Sequence, residues 1–372
     1  TLLPVRPWAE AFGLTVQWDG GTRTVTVSEG ERALSLVVGQ KELRLTGGRA
    51  KSIVVYNWGQ YMDAELLREF TAETGVFVTY REYGTAEELY AVLKSGAAAD
   101  VIITQDYMLD RLRGENMLQK LDFSGIPNYG LIGERFKKPV YDPSGAYTAA
   151  YMWGTVGIIY NTAAVSEKIT SWGALFDPKY EGQLLMFDNP RDAFAVALKY
   201  LGYSLNTADE GQIREAYALL AKQKPLLQAY VTDQIFDKLE FGEAAIAPYY
   251  ADSFLEMKEN NPDLAFVLPD EGANMFADAF AVPATSQNKA YAERFINFMC
   301  GTESALKNMD GTGFFSANEA AYAVWRERAM TPEEAAALFP SDAALSKCEV
   351  FVNLPAAAQS LYETLWRQLQ AQ

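Results

Sequence analysis

Side chains suited to holding an organic cation recur in five short clusters of aromatic and polar residues. The face of an aromatic ring attracts a cation by roughly 0.5–2 kcal/mol, and an ammonium group removed from water needs a carboxylate partner. Any one cluster alone is better explained as a helix cap or a core aromatic. Five clusters at similar positions relative to strands favour a cation site instead. They are Trp58-Gly59-Gln60-Tyr61, Gln105-Asp106-Tyr107, Asp188-Asn189-Pro190-Arg191-Asp192, Tyr249-Tyr250-Ala251-Asp252 and Phe276-Ala277-Asp278.

The elements that must position these clusters alternate between strands and helices, and each cluster is predicted to follow a strand. Ser52 begins a buried strand that ends in the first cluster, and Asp63 caps a helix that Gly75 ends. Thr85-Ala86-Glu87-Glu88 is a capping box for a second helix. With strands at 76–80 and 100–104, this order predicts a parallel sheet whose strand ends meet at one edge.

A second α/β set follows and predicts a second lobe. A helix is expected to start in the Asp188–Asp192 cluster, with Pro190 in its first turn. Further strands are predicted at 156–160, 184–187, 244–247 and 266–268, and further helices at 212–220, 290–299, 303–309 and 356–369.

Residues 1–48 differ from the rest and predict a small β-rich module. Pro4 to Phe12 has the pattern of a short helix closed by Gly13. Asp19-Gly20-Gly21-Thr22 is a hairpin signal between two alternating strands. Two more short strands are expected at 34–38 and 43–45, before a linker at Gly47-Gly48.

Composition excludes several classes of function. The 372 residues carry a formal charge of −16, which disfavours contact with a nucleic-acid backbone. The chain has no histidine, so the usual general base and the commonest metal ligand are absent. The cysteines, Cys300 and Cys348, suit either one disulfide or two separate thiols. Metal sites built from Cys and His are therefore excluded. We predict no enzyme, no cofactor and no metal centre.

No run of 18 apolar residues occurs, and no signal peptide opens the sequence. The protein is therefore expected to be either cytosolic or a mature product without its leader and any anchor.

From Ser52 onward the chain resembles the spermidine/putrescine-binding proteins of bacterial ABC importers, within the bilobal solute-binding family. The matching stretches occur in order along the chain. They are Tyr56-Asn57-Trp58 with Tyr61, Phe70-Thr71, Glu73-Thr74-Gly75, Trp153-Gly154 with Gly157, Ser171-Trp172, Tyr180-Glu181-Gly182, Ala197-Leu198, Leu201-Gly202-Tyr203-Ser204, Asp278, Ala281-Val282-Pro283 and Ile296-Asn297-Phe298.

The resemblance implies a type II periplasmic-binding-protein fold of two α/β lobes joined by hinge strands. It places residues 51–154 with 277–322 in one lobe and residues 155–276 with 323–372 in the other. It also implies a monomer outside the cytoplasm, anchored to the membrane in its full-length form, that captures a polyamine by closing its lobes and then docks on a membrane permease.

Site residues follow from the resemblance position by position. Trp58 and Tyr61 match the family's first aromatic pair, Tyr107 a further ring, and Asp278 the carboxylate that grips an amine. Other positions depart from the family. Asp192 replaces a Glu, Asn189 an Asp, Gln105 a Ser and Phe351 a Gln, while Tyr249 and Phe276 replace tryptophans. Asp106, Asp188 and Asp252 are carboxylates that could compensate. The ligand is expected to be a cationic amine, and the choice among polyamines stays open.

The N-terminal module resembles the later part of the copper amine oxidase N-terminal-like (stalk) domain. The resemblance rests on Pro4-Val5-Arg6-Pro7, Gly13-Leu14, Trp18-Asp19 and Thr22-Arg23-Thr24-Val25-Thr26-Val27. No copper role follows, because this segment has no His, Cys or Met. We expect the module to act as a spacer or tether.

Three other functions would each use part of this sequence. The pair Asp188 and Asp192 could in principle hydrolyse a glycoside. Tyr249-Tyr250 resembles the paired tyrosines of iron-binding members of the same superfamily. A purely structural surface protein would use the stalk-like module and bind no small molecule.

Overall fold

The computed structural model describes residues 5–11, 13–29, 32–39, 43–46, 51–338 and 341–371. The chain divides into two compact units, Thr1–Lys51 and Ser52–Gln372. Across the described ranges, no helix combines the length and the apolar character needed to cross a membrane.

The N-terminal unit is a short helix followed by a four-stranded antiparallel sheet with its strands in chain order. Its elements are α1 (Val5–Ala11), β1 (Thr15–Asp19), β2 (Thr24–Glu29), β3 (Arg32–Val37) and β4 (Leu43–Thr46). The predicted hairpin turn is confirmed, because the Asp19 carboxylate accepts hydrogen bonds from the N–H groups of Gly21 (2.8 Å) and Thr22 (3.3 Å). Pro4, Phe12 and the predicted linker Gly47-Gly48 lie outside the described residues.

The second unit contains an eleven-stranded mixed sheet with helices packed on it. Its strands are β5 (Ser52–Trp58), β6 (Phe77–Tyr83), β7 (Val101–Thr104), β8 (Leu118–Gln119), β9 (Thr148–Asn161), β10 (Leu184–Phe187), β11 (Leu227–Val231), β12 (Ile246–Tyr250), β13 (Leu264–Val267), β14 (Met275–Pro283) and β15 (Phe315–Ser316). Its helices are α2 (Ala64–Thr74), α3 (Ala86–Lys94), α4 (Asp106–Gly114), α5 (Pro190–Tyr200), α6 (Glu210–Gln223), α7 (Ile235–Glu240), α8 (Ala251–Asn260), α9 (Lys289–Met299), α10 (Thr302–Thr312), α11 (Glu319–Ala329), α12 (Pro332–Leu338), α13 (Asp342–Leu345) and α14 (Ala356–Gln370).

The first half of this sheet forms as the sequence predicts. β5 pairs in parallel with both β6 and β7. Asp63 caps α2 by accepting a hydrogen bond from the Glu65 N–H, and Gly75 ends that helix with φ +67°. Thr85 caps α3 through the N–H of Glu88. Local caps and turns therefore determine where each helix begins and ends.

The second half is built from β10, β11 and β12, in the order β11-β10-β12. β10 pairs in parallel with both neighbours. The parallel strands of both halves are covered by helices, so their side chains form a continuous apolar core.

Two long strands join the halves. β9 pairs with β14 along its first part and with β12 and β13 along its last part. The register between β9 and β14 shifts at one point, where Asp278 lies opposite Met152 and Ala279 lies opposite Ala150. Tyr151 is therefore an extra residue in β9, which is a β-bulge, and bulges redirect nearby side chains.

The prediction that every cluster follows a strand is wrong at two places. Phe276, Ala277 and Asp278 lie inside β14, and Tyr249 and Tyr250 are the last residues of β12 rather than the loop after it. The cause at the first place is the length of β14, which runs through the junction between the halves. At the second place, β12 ends at Tyr250, three residues later than its apolar pattern predicts.

Cys300 and Cys348 are free thiols. Of the two predicted alternatives, one disulfide or two separate thiols, the structure has the separate thiols. Cys300 is buried at the end of α9, and burial raises the pKa of its thiol to about 12. A thiol in such surroundings is unreactive.

Candidate functional site

A cleft of about 870 Å³ takes its lining from both halves of the second unit. Of the predicted site residues, it brings together Trp58, Tyr61, Gln105, Asp106, Tyr107, Asn189, Asp192, Tyr249, Asp252, Phe276, Asp278 and Phe351. Asp188 was also predicted as a site residue, but it is not part of the lining. Contact of these side chains with a ligand stays a prediction.

Trp58 and Tyr61 form the first aromatic wall, at the end of β5. Gln60, between them, has φ +55°, a left-handed conformation that turns the chain sharply. The Trp58 ring lies 4.5 Å from the ring of Tyr83, and the Tyr61 ring lies 4.5 Å from that of Phe314. Gln60 itself is exposed and is not part of the lining.

Asp278 lies at the bulge, where β14 crosses between the halves. Its side chain is buried, with 7% of the residue exposed, and burial raises its pKa to about 7. The Tyr61 hydroxyl faces this carboxylate and partly offsets the effect of burial. Asp278 therefore keeps a charge near neutral pH only at an energetic cost, which a bound cation would relieve.

Asp252, in the first turn of α8, is a second buried carboxylate beside Asp278. Burial is the main cause that raises its pKa to about 7, and the charge of Asp278 adds to it. Within the described ranges, its Oδ1 atom is buried without a hydrogen-bond partner. Two buried carboxylates that line one cleft favour a positively charged ligand.

Gly154 makes this close arrangement possible. A Cβ atom at this position would lie 2.6 Å from the Phe276 ring and 3.3 Å from Asp252 Oδ1. Phe276 is directly opposite Gly154 across the β9–β14 pair. A residue with a side chain at Gly154 would push the ring away from the cleft wall.

Asn189 and Asp192 are bound to each other at the start of α5. Asn189 is the N-cap, and its Oδ1 accepts a hydrogen bond from the Asp192 N–H (2.9 Å). The Asn189 side-chain amide donates to Asp192 Oδ2 (2.5 Å). Burial raises the pKa of Asp192, and the bond from Asn189 and the charge of Arg191 oppose that rise.

Asp188 does not line the cleft, so its predicted role as a compensating carboxylate is not supported by its position. Its side chain is exposed, and Gln370 Nε2 lies 3.4 Å from its Oδ1. The physical reason is local: Asn189 occupies the cap and turns into the cleft, and the preceding residue points away from it.

Gln105, Asp106 and Tyr107 open α4 on the opposite wall. Asp106 Oδ1 accepts from the Tyr107 N–H (2.7 Å), and its Oδ2 accepts from the Phe351 N–H (3.3 Å). Burial raises the Asp106 pKa well above its usual value, against the effect of these two bonds. The Tyr107 hydroxyl donates to Glu87 (3.0 Å), which fixes the ring.

A row of rings closes the remaining side. The Tyr249 ring lies 5.9 Å from Phe187 and 5.1 Å from Tyr250, and the Tyr250 ring lies 5.6 Å from Phe276. Each ring packs on the next, so the row is held rigidly before any ligand arrives.

Sequence reasoning missed several lining residues, among them Glu87, Arg191, Tyr250, Phe314 and Tyr362. Arg191 and Tyr250 stood inside two of the quoted clusters, so their positions were a usable signal. Glu87 and Tyr362 lie on amphipathic helices, where nothing in the pattern separates a cleft face from a core face.

The cleft therefore combines aromatic walls with four buried aspartates: Asp106, Asp192, Asp252 and Asp278. Arg111 and Arg191 are its basic lining residues. Arg191 lies 4.5 Å over the Phe351 ring and donates to Asn206 (3.1 Å), so it is held at one side. Such a surface suits an elongated ligand with more than one positive charge.

Sequence models of two families match the chain. The model described as bacterial extracellular solute-binding protein covers residues 65–338, and that of the copper amine oxidase N-terminal domain covers residues 1–57. The two predicted resemblances are thereby confirmed.

Individual relatives agree. The chain is 34% identical over 326 residues to the spermidine/putrescine-binding periplasmic protein of Salmonella typhimurium, covering 86% of this chain and 92% of the relative. It is 29% identical to the putrescine-binding periplasmic protein SpuD of Pseudomonas aeruginosa, covering 86% and 92%. Among solved structures, the spermidine/putrescine ABC transporter substrate-binding protein of Streptococcus pneumoniae matches with a TM-score of 0.79 at 32% identity, covering 86% of this chain and 99% of that one.

Proposed function

The chain belongs to the bacterial extracellular solute-binding protein family, and we propose that it captures a polyamine of the putrescine and spermidine class for an ABC importer. The relatives named above carry these ligands in their names, and the cleft of this chain has the charge and the aromatic surface that such a ligand requires.

One observation carries the proposal: Asp252 and Asp278 are buried carboxylates that line the same cleft, which is walled by aromatic rings. A primary ammonium group has three N–H donors, and these carboxylates supply acceptors for them. Asp252 Oδ1 is one such acceptor, since no donor from the described part of the chain reaches it. A quaternary ammonium ion has no N–H donor and would leave this acceptor unpaired.

The aromatic walls serve the rest of the ligand. Trp58, Tyr61, Tyr107, Tyr249 and Phe276 present ring faces or edges to the cleft. These surfaces cover the methylene segments of a polyamine and add cation–π attraction to its charged nitrogens. Asp106 and Asp192 are the carboxylates available to a second amine, and Gln105, Asn189 and Phe351 complete the lining.

Closure of two lobes around the ligand is part of the proposal. We assign residues 51–154 with 277–322 to lobe 1 and residues 155–276 with 323–372 to lobe 2. The shared strand β9 supports this division, because it pairs with β14 along its first part and with β12 along its last part, and β14 in turn pairs with β7.

The family places the protein outside the cytoplasm. We further propose a monomer, anchored to the membrane in its full-length form, that delivers its ligand to a permease and catalyses no reaction. The N-terminal unit then acts as a spacer or tether. Removal of residues 1–48 should leave the ligand affinity unchanged, and a lower affinity would contradict this role.

A thermal-shift panel of polyamines, amino acids, choline-type cations and ferric ion tests the function. A ligand at 100 times its Kd stabilises the folded state by about 2.7 kcal/mol, so a polyamine should raise the melting temperature by several degrees. Titration calorimetry then ranks putrescine, spermidine and spermine.

Other outcomes would contradict the proposal. A pink-red colour with ferric ion would favour an iron site at Tyr249 and Tyr250. Burial raises the pKa of Tyr249 to about 12, which opposes formation of the phenolate that iron needs. A panel without any shift would favour a structural surface protein.

A further inference from the structure

An extended segment, Val350–Asn353, crosses one side of the cleft; we call it the latch segment. One of its edges is held by the side-chain amide of Asn206, which follows α5. Asn206 Nδ2 donates to the Val350 carbonyl (2.8 Å), and Asn206 Oδ1 accepts from the Val352 N–H (3.0 Å). The amide therefore pairs with the segment as a neighbouring strand would, and fixes it to lobe 2.

The other edge of the latch segment faces α4 of lobe 1. The Phe351 N–H donates to Asp106 Oδ2 (3.3 Å), and the Asn353 N–H donates to Asp110 Oδ2 (3.2 Å). The spacing of the two acceptors on α4 matches the spacing of the two donors on the latch segment. Residues four apart on a helix lie about 5–6 Å from each other, and alternate residues of an extended chain lie roughly 6.5 Å apart.

From this geometry we propose that the latch segment, held through Asp106 and Asp110, keeps the two lobes closed, and that Asp110 is a positioning residue that slows ligand release. The proposal rests on the proposed function. Opening the lobes must separate α4 from the latch segment, and both hydrogen bonds from backbone N–H groups to carboxyl oxygens are then lost.

Asp110 separates closure from ligand contact. Asp106 lines the cleft, so changing it alters the ligand site as well. Asp110 is not part of the lining. Its side chain is 21% exposed, and Arg113 holds it through an ion pair of 2.8 Å. A change at Asp110 therefore acts on the ligand only through the lobes.

The test compares Asp110→Ala, Asp110→Asn and a charge control, Glu73→Ala. Glu73 is an exposed carboxylate on α2 of the same lobe. Stopped-flow fluorescence gives the association and dissociation rates of the best polyamine from the thermal panel. Small-angle X-ray scattering gives the radius of gyration with and without ligand.

Asp110→Ala should raise the dissociation rate at least about tenfold, the size expected for one hydrogen bond to a charged acceptor. The association rate should not fall, because the ligand enters the open form. Asp110→Asn keeps an oxygen for the Asn353 N–H and should stay within about twofold of the wild type. Glu73→Ala should match the wild type.

Two results would overturn the latch. One is an unchanged dissociation rate in Asp110→Ala. The other is an equal increase in all three variants, which would indicate long-range charge. If the wild-type protein binds no polyamine, the proposed function fails instead. The latch is then judged by scattering alone, since Asp110→Ala should still enlarge the ligand-free radius of gyration, and an identical radius would refute it.

Discussion

Two regions of the second unit bury aspartate carboxylates to a similar extent but treat them differently. In the turn before β9, Asp142 is fully buried. Its Oδ2 accepts hydrogen bonds from the N–H groups of Tyr147 (2.8 Å) and Thr148 (3.1 Å) and from the Thr148 hydroxyl (3.2 Å). The chain itself supplies the donors that this charge needs.

In the cleft, Asp252 and Asp278 are 8% and 7% exposed. Here burial raises the pKa of each carboxyl to about 7. The difference teaches that burial of an acid does not identify a binding site. What identifies a binding site is a buried acid without enough hydrogen-bond donors from the protein, because a ligand must supply the missing donors.

The largest effect should come from Asp278→Asn. Removing one partner of a buried charge pair costs about 2–5 kcal/mol, so calorimetry should find polyamine affinity reduced by at least about thirtyfold. The same variant should stabilise the ligand-free protein at pH 8 in urea unfolding, because a buried charge is gone. Retained affinity would remove Asp278 from the site.

Asp142→Asn should show the opposite behaviour. It leaves two N–H donors of a buried turn with a weaker acceptor, which costs about 1–3 kcal/mol of folding free energy. Urea unfolding should register this loss, while calorimetry on the folded protein should give the wild-type affinity. A binding defect would show that the two regions are not separate.

Affinity should depend on pH through the cleft carboxylates. Their pKa of about 7 means that each is mostly protonated below neutrality in the ligand-free protein. A cation binds the ionised form, so the affinity should fall about tenfold per carboxylate from pH 8 to pH 6. Calorimetry in buffers of different ionisation enthalpy should detect proton release on binding.

The stability of the ligand-free protein should change with pH in the opposite direction to the ligand affinity. Because the folded-state pKa of these groups lies above the unfolded value of 3.8, their contribution to ligand-free stability is fully present below that value. It is lost as the pH rises toward about 7. A ligand affinity that is constant between pH 6 and 8 would contradict the predicted titration of Asp252 and Asp278.

The smallest effect is expected for Asp188→Ala. Its carboxylate is exposed and points away from the cleft, so calorimetry should find less than about a twofold change in affinity. Asp252→Ala, measured in parallel, should lose at least about thirtyfold in affinity. Equal losses would show that Asp188 reaches the ligand after closure.

The sequence predicted those parts of the fold that local chemistry determines. Asp63, Gly75 and Thr85 gave the limits of α2 and α3 because capping depends on residues within one turn. β11 was missed, because Leu227–Val231 is a half-buried strand at the sheet edge, where the apolar pattern is weak.

For the site, strand-end topology and the family resemblance located the cleft residues, but not their orientation. Which of Asp188 and Asn189 faces inward depends on which one becomes the N-cap. The side-chain direction of Asp278 depends on the extra residue Tyr151 in the partner strand. A one-residue register shift between strands distant in sequence leaves no local signal.

The continuous strand β9 has a consequence for unfolding. Its 14 residues pair with strands of both halves. If either half unfolded alone, part of β9 would lose its hydrogen-bonding partners, and the remaining half would lose part of the strand that pairs with its edge. The two halves should therefore unfold together, and calorimetry should record a single cooperative transition for the second unit, with equal van't Hoff and calorimetric enthalpies.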